Sequence, residues 1–477
     1  MAPRTRSPSQ KSKVFDFCEG DFCYQLIIKI MQRTYIGELN KKVGEEVKIA
    51  GWVDVRRDHG KLIFIDLRDM SGKVQMVFLP NHKEAHAAAN MVRSEWVIEV
   101  TGKVNARPER MIKVEEKNGS VELEALSINI LSAAKELPFE KDAELNIDTY
   151  LDHLPLTLRR EKPRAVFKIQ AVIIKLFREF LTNNRFVEIQ APKIIGDDAE
   201  GGANSFNIDY FGHVAHLAQS PQFYKQIMVG IFERAFATGN VYRAEKHSTP
   251  RHLNEYTSLD FEMGFITDHR DVMEMETKLL TYIMDGLKKE CSEEFSFLKA
   301  EIPSVPGKIP ALKLREAQEL MEKEANMKCL GEPDLEPQHE KWLCEYSKKT
   351  WDSDFIFITH FPLSKRPMYT HGDPKDPGYA NGFDLLFRGV EITTGGQRIH
   401  DYDELVESIK KKGMNPEKFS YYLQAFKSGM PPHGGLGLGL ERLTAKLLNI
   451  ENIKEATLFP RDIIRIDTLL SKSEKKK

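Results

Sequence analysis

Between Val241 and Phe265 the chain reads VYRAEKHSTPRHLNEYTSLDFEMGF. This sets Arg243, Glu245, His252, Glu255, Asp260 and Glu262 among two apolar runs separated by a polar turn. Val241-Tyr242 and Leu259 to Phe265 are expected as strands, and Lys246 to Asn254, with Ser248-Thr249-Pro250 at its tip, as the turn. Unpaired charge is expensive to bury, so side chains of this kind on inward strands require a charged ligand or one another. An isolated Arg-x-Glu is usually a solvated pair, but the density of charge here points to a site. Two carboxylates, Asp384 and Glu391, lie seven residues apart on predicted adjoining strands, followed by Thr394. Oxygen ligands of this sort suit Mg²⁺ bridging phosphates, although isolated carboxylates are more often solvated or salt-bridged. The glycine-rich run Gly434 to Gly439 is a weak signal alone; it lacks a Lys-Ser/Thr ending and is followed by Glu441-Arg442.

The elements that must hold these residues fall into two groups. VKIAGWVDVR, KLIFIDLRD, KVQMVFL, WVIEVTGKV and VELEALSINIL alternate as five strands, with an Ala-rich helix near His82 to Met91. That count suits a small oligonucleotide-binding barrel. Ala165 to Leu181 has apolar residues at helical spacing on more than one face and leads into the strand FVEIQ and Pro192. Asp271 to Cys291 and Ala311 to Ala325 are expected as amphipathic helices of an inserted region, and strands return at FIFITHFP, GFDLLFRGVEITTGG and GGLGLGL. The fold class is therefore α+β. The expected division is a disordered tail or an artefact of start-site choice at 1–30, a barrel domain at 31–132 and a proline-punctuated hinge at 133–163. A second domain covers 164–470, with a helical insertion at about 267–350, and a basic tail occupies 471–477.

A chain of 477 residues and net charge −2 carries no global basic field, so any nucleic-acid contact must come from local patches. Five cysteines without a Cys-x-x-Cys pair argue against a disulfide framework and a structural zinc site. No apolar run reaches the ~18 residues of a membrane span, so no membrane partner is expected. Residues 1–30 are too polar for a secretory signal; Met31 begins MQRTYIGEL, the start expected of the folded part.

Several motifs together carry a resemblance. Tyr242-Arg243-Ala244-Glu245 with Arg251-His252-Leu253 and Glu255-Tyr256 looks like motif 2 of class II aminoacyl-tRNA synthetases. Gly434 to Arg442 looks like motif 3, and the helix leading to Pro192 resembles motif 1. RHLNEYTSLDFEM and SPQFYKQ are similar to aspartyl-tRNA synthetases, and GWVDVRRDHGKLIFIDLRDMSGKVQMVF looks like the anticodon-binding domain of the bacterial members. The resemblance runs from about Lys48 to about Arg465. It implies an N-terminal five-stranded oligonucleotide-binding β-barrel and a C-terminal class II antiparallel sheet flanked by helices, in a cytoplasmic homodimer.

The implied reaction has two steps. Aspartate attacks the α-phosphate of ATP to give aspartyl-adenylate and pyrophosphate, and the 3′-terminal ribose of tRNA(Asp) then takes the acyl group. Such chemistry is largely positioning and charge neutralisation. The resemblance places Arg243 on the α-phosphate and Arg442 on the γ-phosphate, with His252 and Arg251 nearby. It puts Glu245 on the adenine amino group, Tyr256 on the ring and Gly439 at the nucleotide. Mg²⁺ falls to Asp384, Glu391 and Thr394. Lys225 and Arg398 would take the substrate carboxylate, Gln222 would support them, Asp260 would hold the α-amino group, and Glu200-Gly201-Gly202 would close over the amino acid. On the barrel, Arg57, His59, Phe64, Gln75 and Glu122 fall at anticodon-reading positions. His59 lies where the family varies between strict charging of tRNA(Asp) and relaxed charging that includes tRNA(Asn); relaxed charging requires a tRNA-dependent amidotransferase. The alternatives are an asparagine–tRNA ligase, against which the SPQFYK wording stands, and a non-catalytic tRNA-binding paralogue, against which the intact Arg243, Glu245, Glu391 and Arg442 stand.

Overall fold

The computed structural model describes residues 32–114, 116–196 and 205–472. Within these the chain forms two compact units that divide between Ala143 and Glu144.

The first unit is a closed barrel of β1 (Glu46–His59), β2 (Leu62–Arg68), β3 (Lys73–Phe78), β4 (Val97–Ala106) and β5 (Val121–Ser132), in the order β1-β2-β3-β5-β4. Alternation decides which side chains fill it. Ile63, Ile65, Val74 and Met76 are buried in the interior, while Phe64 and Gln75, one residue out of phase, stand half-exposed on the outer face. The helix Lys83–Met91 sits where the Ala-rich segment predicted it.

The second unit opens with short helices at Ile147–Asp152 and Leu154–Thr157, so the expected unpatterned hinge is partly helical. Asn146 caps the first of them by accepting from the Thr149 amide, a local signal that proline punctuation concealed. The long helix Glu161–Asn183 buries one wide face, including Ile169, Ile173, Leu176, Phe177 and Phe180. It is followed by β6 (Val187–Glu188), β7 (Ile194–Ile195), β8 (Asn207–Tyr210) and β9 (His213–Leu217). The helix Gln222–Phe232 comes next, then β10 (Arg234–Tyr242) and β11 (Glu255–Gly264), the two arms predicted around the charged turn. The remaining strands are β12 (Ala311–Lys313), β13 (Phe355–Thr359), β14 (Gly382–Phe387), β15 (Val390–Arg398) and β16 (His433–Gly439). An eight-stranded sheet runs β12-β13-β14-β15-β16-β11-β10-β6, and β7-β9-β8 form a separate small sheet. The expected antiparallel arrangement holds through the interior strands, but the two edge pairings, β12 with β13 and β6 with β10, are parallel.

Two expectations about the inserted region change. Ala311–Lys313 is an edge strand and only Leu314–Ala325 is helical, because three residues are too few for periodicity to separate the two. The helix His269–Glu290 is a layer of the main core: Val272, Leu279, Ile283 and Leu287 pack with Phe261, Leu436 and Ile392 of the sheet. Among the described residues no helix is long and apolar enough to cross a membrane.

Candidate active site

The sheet presents one large cavity of about 380 Å³. Its walls include Gln222, Lys225, Arg243, Glu245, Arg251, His252, Tyr256, Asp260, Glu391, Thr394, Arg398, Gly439 and Arg442, so residues from 222 to 442 converge on one space. Antiparallel pairing does this. Asp260 on β11 faces Gly437 on β16, and Thr394 on β15 faces Gly437 from the other side.

At one end is a buried ionic cluster. Lys225, on the helix Gln222–Phe232, donates to Asp260 Oδ1 at 3.0 Å and to the Leu436 carbonyl at 2.9 Å. Its Nζ is also 3.4 Å from Glu262 Oε2, while Arg398 Nε donates to Glu262 Oε1 at 2.8 Å. Burial would raise the Glu262 carboxyl, but Arg398 and Lys225 outweigh it and hold it below the usual range. The glycines of β16 make this approach possible. A Cβ on Gly435 would overlap the Phe261 carbonyl and the Glu262 carboxylate, and one on Gly437 would lie 3.0 Å from Asp260 Oδ1. Behind the cluster Gln222 donates to Gln226 at 2.9 Å. Burial pushes His433 down to about 4, so its neutral ring accepts from Gln226 through Nε2 and donates to the Pro431 carbonyl through Nδ1.

The other end is rich in arginine. Arg243 follows β10, with its guanidinium carbon 6.0 Å from the centre of the Tyr256 ring. Arg442 lies on the helix Leu440–Leu447 and donates to the Glu391 carbonyl at 2.9 Å. Arg251 is held by Glu340, at 2.8 Å, and by the Gly389 carbonyl, at 3.2 Å. His252 Nδ1 is 2.6 Å from the Thr249 hydroxyl, which ties it to the turn. The Thr257 amide donates to both oxygens of Glu441 at 3.0 Å, and burial still pushes that carboxyl up to about 7.

The proposed metal ligands are set differently from one another. Thr394 donates to Glu391 Oε1 at 3.0 Å, and both line the cavity. Asp384, across from Thr394 in the β14–β15 ladder, is buried beneath Arg366, which donates to its Oδ2 at 2.9 Å. Its Oδ1 has no hydrogen-bond partner among the described residues. Burial, opposed by Arg366 and reinforced by Glu391, pushes Asp384 up to about 6. A divalent cation would give that oxygen a ligand and relieve the carboxylate repulsion, so the pair fits such an ion. Among the described residues no three His, Cys, Asp or Glu side chains form a metal-holding group.

The cavity therefore joins a buried cationic pair with fixed counter-ions to an arginine-lined channel. The family description "tRNA synthetases class II (D, K and N)" matches residues 146–463, and "OB-fold nucleic acid binding domain" matches residues 47–131. The chain belongs to the class II tRNA synthetases. It is 45% identical over 445 residues to an aspartate–tRNA(Asp/Asn) ligase of Deinococcus radiodurans, covering 91% of this chain and 99% of that one. It is 38% identical to an aspartate–tRNA(Asp) ligase of Pyrococcus furiosus, covering 91% and 100%. The asparaginyl-tRNA synthetase of Pyrococcus horikoshii complexed with asparaginyl-adenylate superposes with a TM-score of 0.84 at 28% identity, covering 92% and 100%. Backbone likeness alone thus does not separate the two amino acids.

Members of the class II synthetases use ATP and a divalent metal, and this synthetase presents most of the predicted residues in one cavity. Glu200 lies outside the described residues. Sequence reasoning missed Glu340 and Arg366, and it noted Glu262 and Glu441 without giving either a role. Each acts through a partner distant in sequence, so local spacing carried no sign of the pairing. On the barrel, Arg57 pairs across β1–β2 with Phe64 and His59 with Leu62. The His59 ring meets Phe64 edge-on at 5.6 Å. Gln75 is opposite Asp66, and Glu122 lies one residue before the Met76–Leu123 pairing. Arg57, Phe64, Gln75 and Glu122 are all half-exposed, and His59 is exposed.

Proposed function

We propose that the chain is an aspartate–tRNA ligase, which activates L-aspartate with ATP and transfers it to the 3′ end of tRNA(Asp). The observation that carries this is the placement of Lys225 and Arg398 on the two oxygens of one buried carboxylate, Glu262, at the edge of the cavity. Asp260 and Glu262 balance the two cations at rest, and an incoming side-chain carboxylate finds donors from both. An amide would set its NH₂ against donors, a mismatch that can discriminate by ~10⁴.

At the opposite end Arg243 and Arg442 would take the α- and γ-phosphates. The planar guanidinium can hold two oxygens as charge builds on them. Glu245 and Tyr256 would take the adenine, with Arg251 and His252 near the outer phosphates and Gly439 leaving room for the nucleotide. Asp384, Glu391 and Thr394 would hold Mg²⁺, which when bound neutralises phosphate charge. Asp260 would exchange part of its contact with Lys225 for the substrate's α-amino group.

Lys225→Met provides the test. Pyrophosphate exchange is measured with aspartate and with asparagine. The expected result is a collapse of the aspartate preference; equal loss with both amino acids would overturn the assignment.

The relative at 45% identity is named for both tRNA(Asp) and tRNA(Asn), and His59 stands on the barrel face beside Phe64. These observations favour tRNA(Asn) as a second acceptor, with an amidotransferase completing that product. Charging purified tRNA(Asn) with aspartate tests this, and absence of product removes it. A homodimer is supported by the edge position of β6 and by exposed Ile194, Tyr210 and Val214 in the small sheet, with exposed Phe211 in the turn between β8 and β9. Molar mass in solution by light scattering is the check.

A further inference from the structure

We propose that Arg366 is a further phosphate-binding residue of the cavity, which holds the outer phosphates of ATP and takes up charge as pyrophosphate departs. This rests on the reading of the arginine-rich end as the triphosphate site and adds a residue to it.

Arg366 lies on the segment between β13 and β14 and lines the cavity together with Arg243 and Arg442. That segment is strapped down along its length. The Ala380 amide donates to the Phe361 carbonyl at 2.9 Å, and the Ile399 amide donates to the Tyr369 carbonyl at 2.8 Å. Between these ties Lys412 donates to the carbonyls of Leu363 and Ser364, at 3.0 and 2.8 Å. The guanidinium carbon of Arg366 is 4.0 Å from the centre of the buried Phe361 ring, which gives the cation a fixed seat.

A guanidinium carries five N–H donors. Among the described residues the Arg366 side chain makes one hydrogen bond, from Nη2 to Asp384 Oδ2 at 2.9 Å. Its Nε is buried with no hydrogen-bond partner among them, and a buried donor of that kind calls for an acceptor. The neighbours say where the acceptor comes from. Arg366 feels the charge of Glu391 as well as that of Asp384, and Glu391 is in turn held by Arg442, which donates to its carbonyl at 2.9 Å. The two arginines thus stand about one carboxylate, at the end of the cavity given to the γ-phosphate. When aspartate attacks, the bond from the α-phosphorus to the bridging oxygen breaks, and its electron pair stays on pyrophosphate. A cation already seated there stabilises that charge without reorganisation.

The test is run in EDTA, so that the loss of a contact with Asp384 cannot act through Mg²⁺. Dissociation constants of ATP and of AMP are measured by equilibrium dialysis and compared within one protein preparation. Arg366→Met is expected to weaken ATP roughly tenfold and to leave AMP unchanged, about the worth of one charge-assisted hydrogen bond. Removing Arg366 strands the buried charge of Asp384. Should that variant not fold, Arg366→Met combined with Asp384→Asn is compared with Asp384→Asn alone, and the same loss confined to ATP is expected. Equal weakening of ATP and AMP, or none, overturns the role of Arg366 alone when Arg442→Ala still weakens ATP and spares AMP. Unimpaired ATP binding in Arg442→Ala overturns the triphosphate reading of this end as well.

Discussion

Arg398 Nε meets Glu262 Oε1 at 2.8 Å, with both residues almost wholly shielded from water. Glu262 is thus the anchor that aims Arg398, and its other oxygen faces Lys225. Removing one partner of a buried pair leaves uncompensated charge, typically at a cost of about 3–5 kcal/mol. Glu262→Gln is therefore expected to lower the thermal midpoint and also to reduce the aspartate-over-asparagine ratio in pyrophosphate exchange by about tenfold. A lower midpoint with an unchanged ratio would make Glu262 a stabilising residue and nothing more.

Glu340 lies on the helix Pro337–Trp351 of the inserted region and grips Arg251 at 2.8 Å. This helix therefore reaches the arginine-rich end of the cavity. Glu340→Ala should raise the KM for ATP by roughly fivefold with little change in kcat, as expected when a binding group loses its orientation. Residues that act as one unit are not additive. The double variant with Arg251→Ala should accordingly be no worse than Arg251→Ala alone, in initial-rate measurements over ATP concentration.

These two residues also show what the sequence could and could not reveal. The β10–β11 arms, the barrel strands and the strand–helix run Gly434 to Arg442 were legible because alternation, turn residues and glycine clusters act over a few neighbours. The glycine run has its reason in the structure: at Gly435 and Gly437, β16 must pass against Glu262 and Asp260 without a side chain. Glu340 and Arg251 are 89 residues apart, and Arg398 and Glu262 are 136 apart. Pairings of that kind are set by sheet order, which local patterns do not encode. The same applies to the helix His269–Glu290, expected as an amphipathic helix of an insertion, whose apolar face packs in the main core with the sheet.

Asp384 offers a test of the metal site. Its Oδ1 has no partner among the described residues, and burial beside Glu391 pushes the carboxyl up to about 6 even with Arg366 in contact. Asp384→Asn should raise the Mg²⁺ concentration for half-maximal pyrophosphate exchange by at least ~10-fold, in the range seen when metal-site carboxylate support is lost. Titration of exchange rate against Mg²⁺ at fixed ATP reads this out. An unchanged midpoint would assign Asp384 to Arg366 alone and leave Glu391 as the metal ligand.

Glu276 provides a pH test of the fold's stability. It is wholly buried on the helix His269–Glu290 close to the Thr393 hydroxyl, and among the described residues neither group meets full hydrogen-bond geometry. Burial pushes its carboxyl up to about 8, with only the nearby Thr393 hydroxyl pulling the other way. The folded state thus holds a proton that the unfolded chain releases near 4.5. Its contribution to stability is complete below that pH and is lost as pH rises toward 8, because folding must then either take up a proton or bury a charge. Glu276→Gln is neutral at every pH and should differ little from the parent at pH 5. At pH 8 it should be the more stable of the two, with the gap in thermal midpoint widening steadily between. Parallel melting curves across that range check this, and a gap that stays constant would mean that Glu276 does not change its protonation on folding.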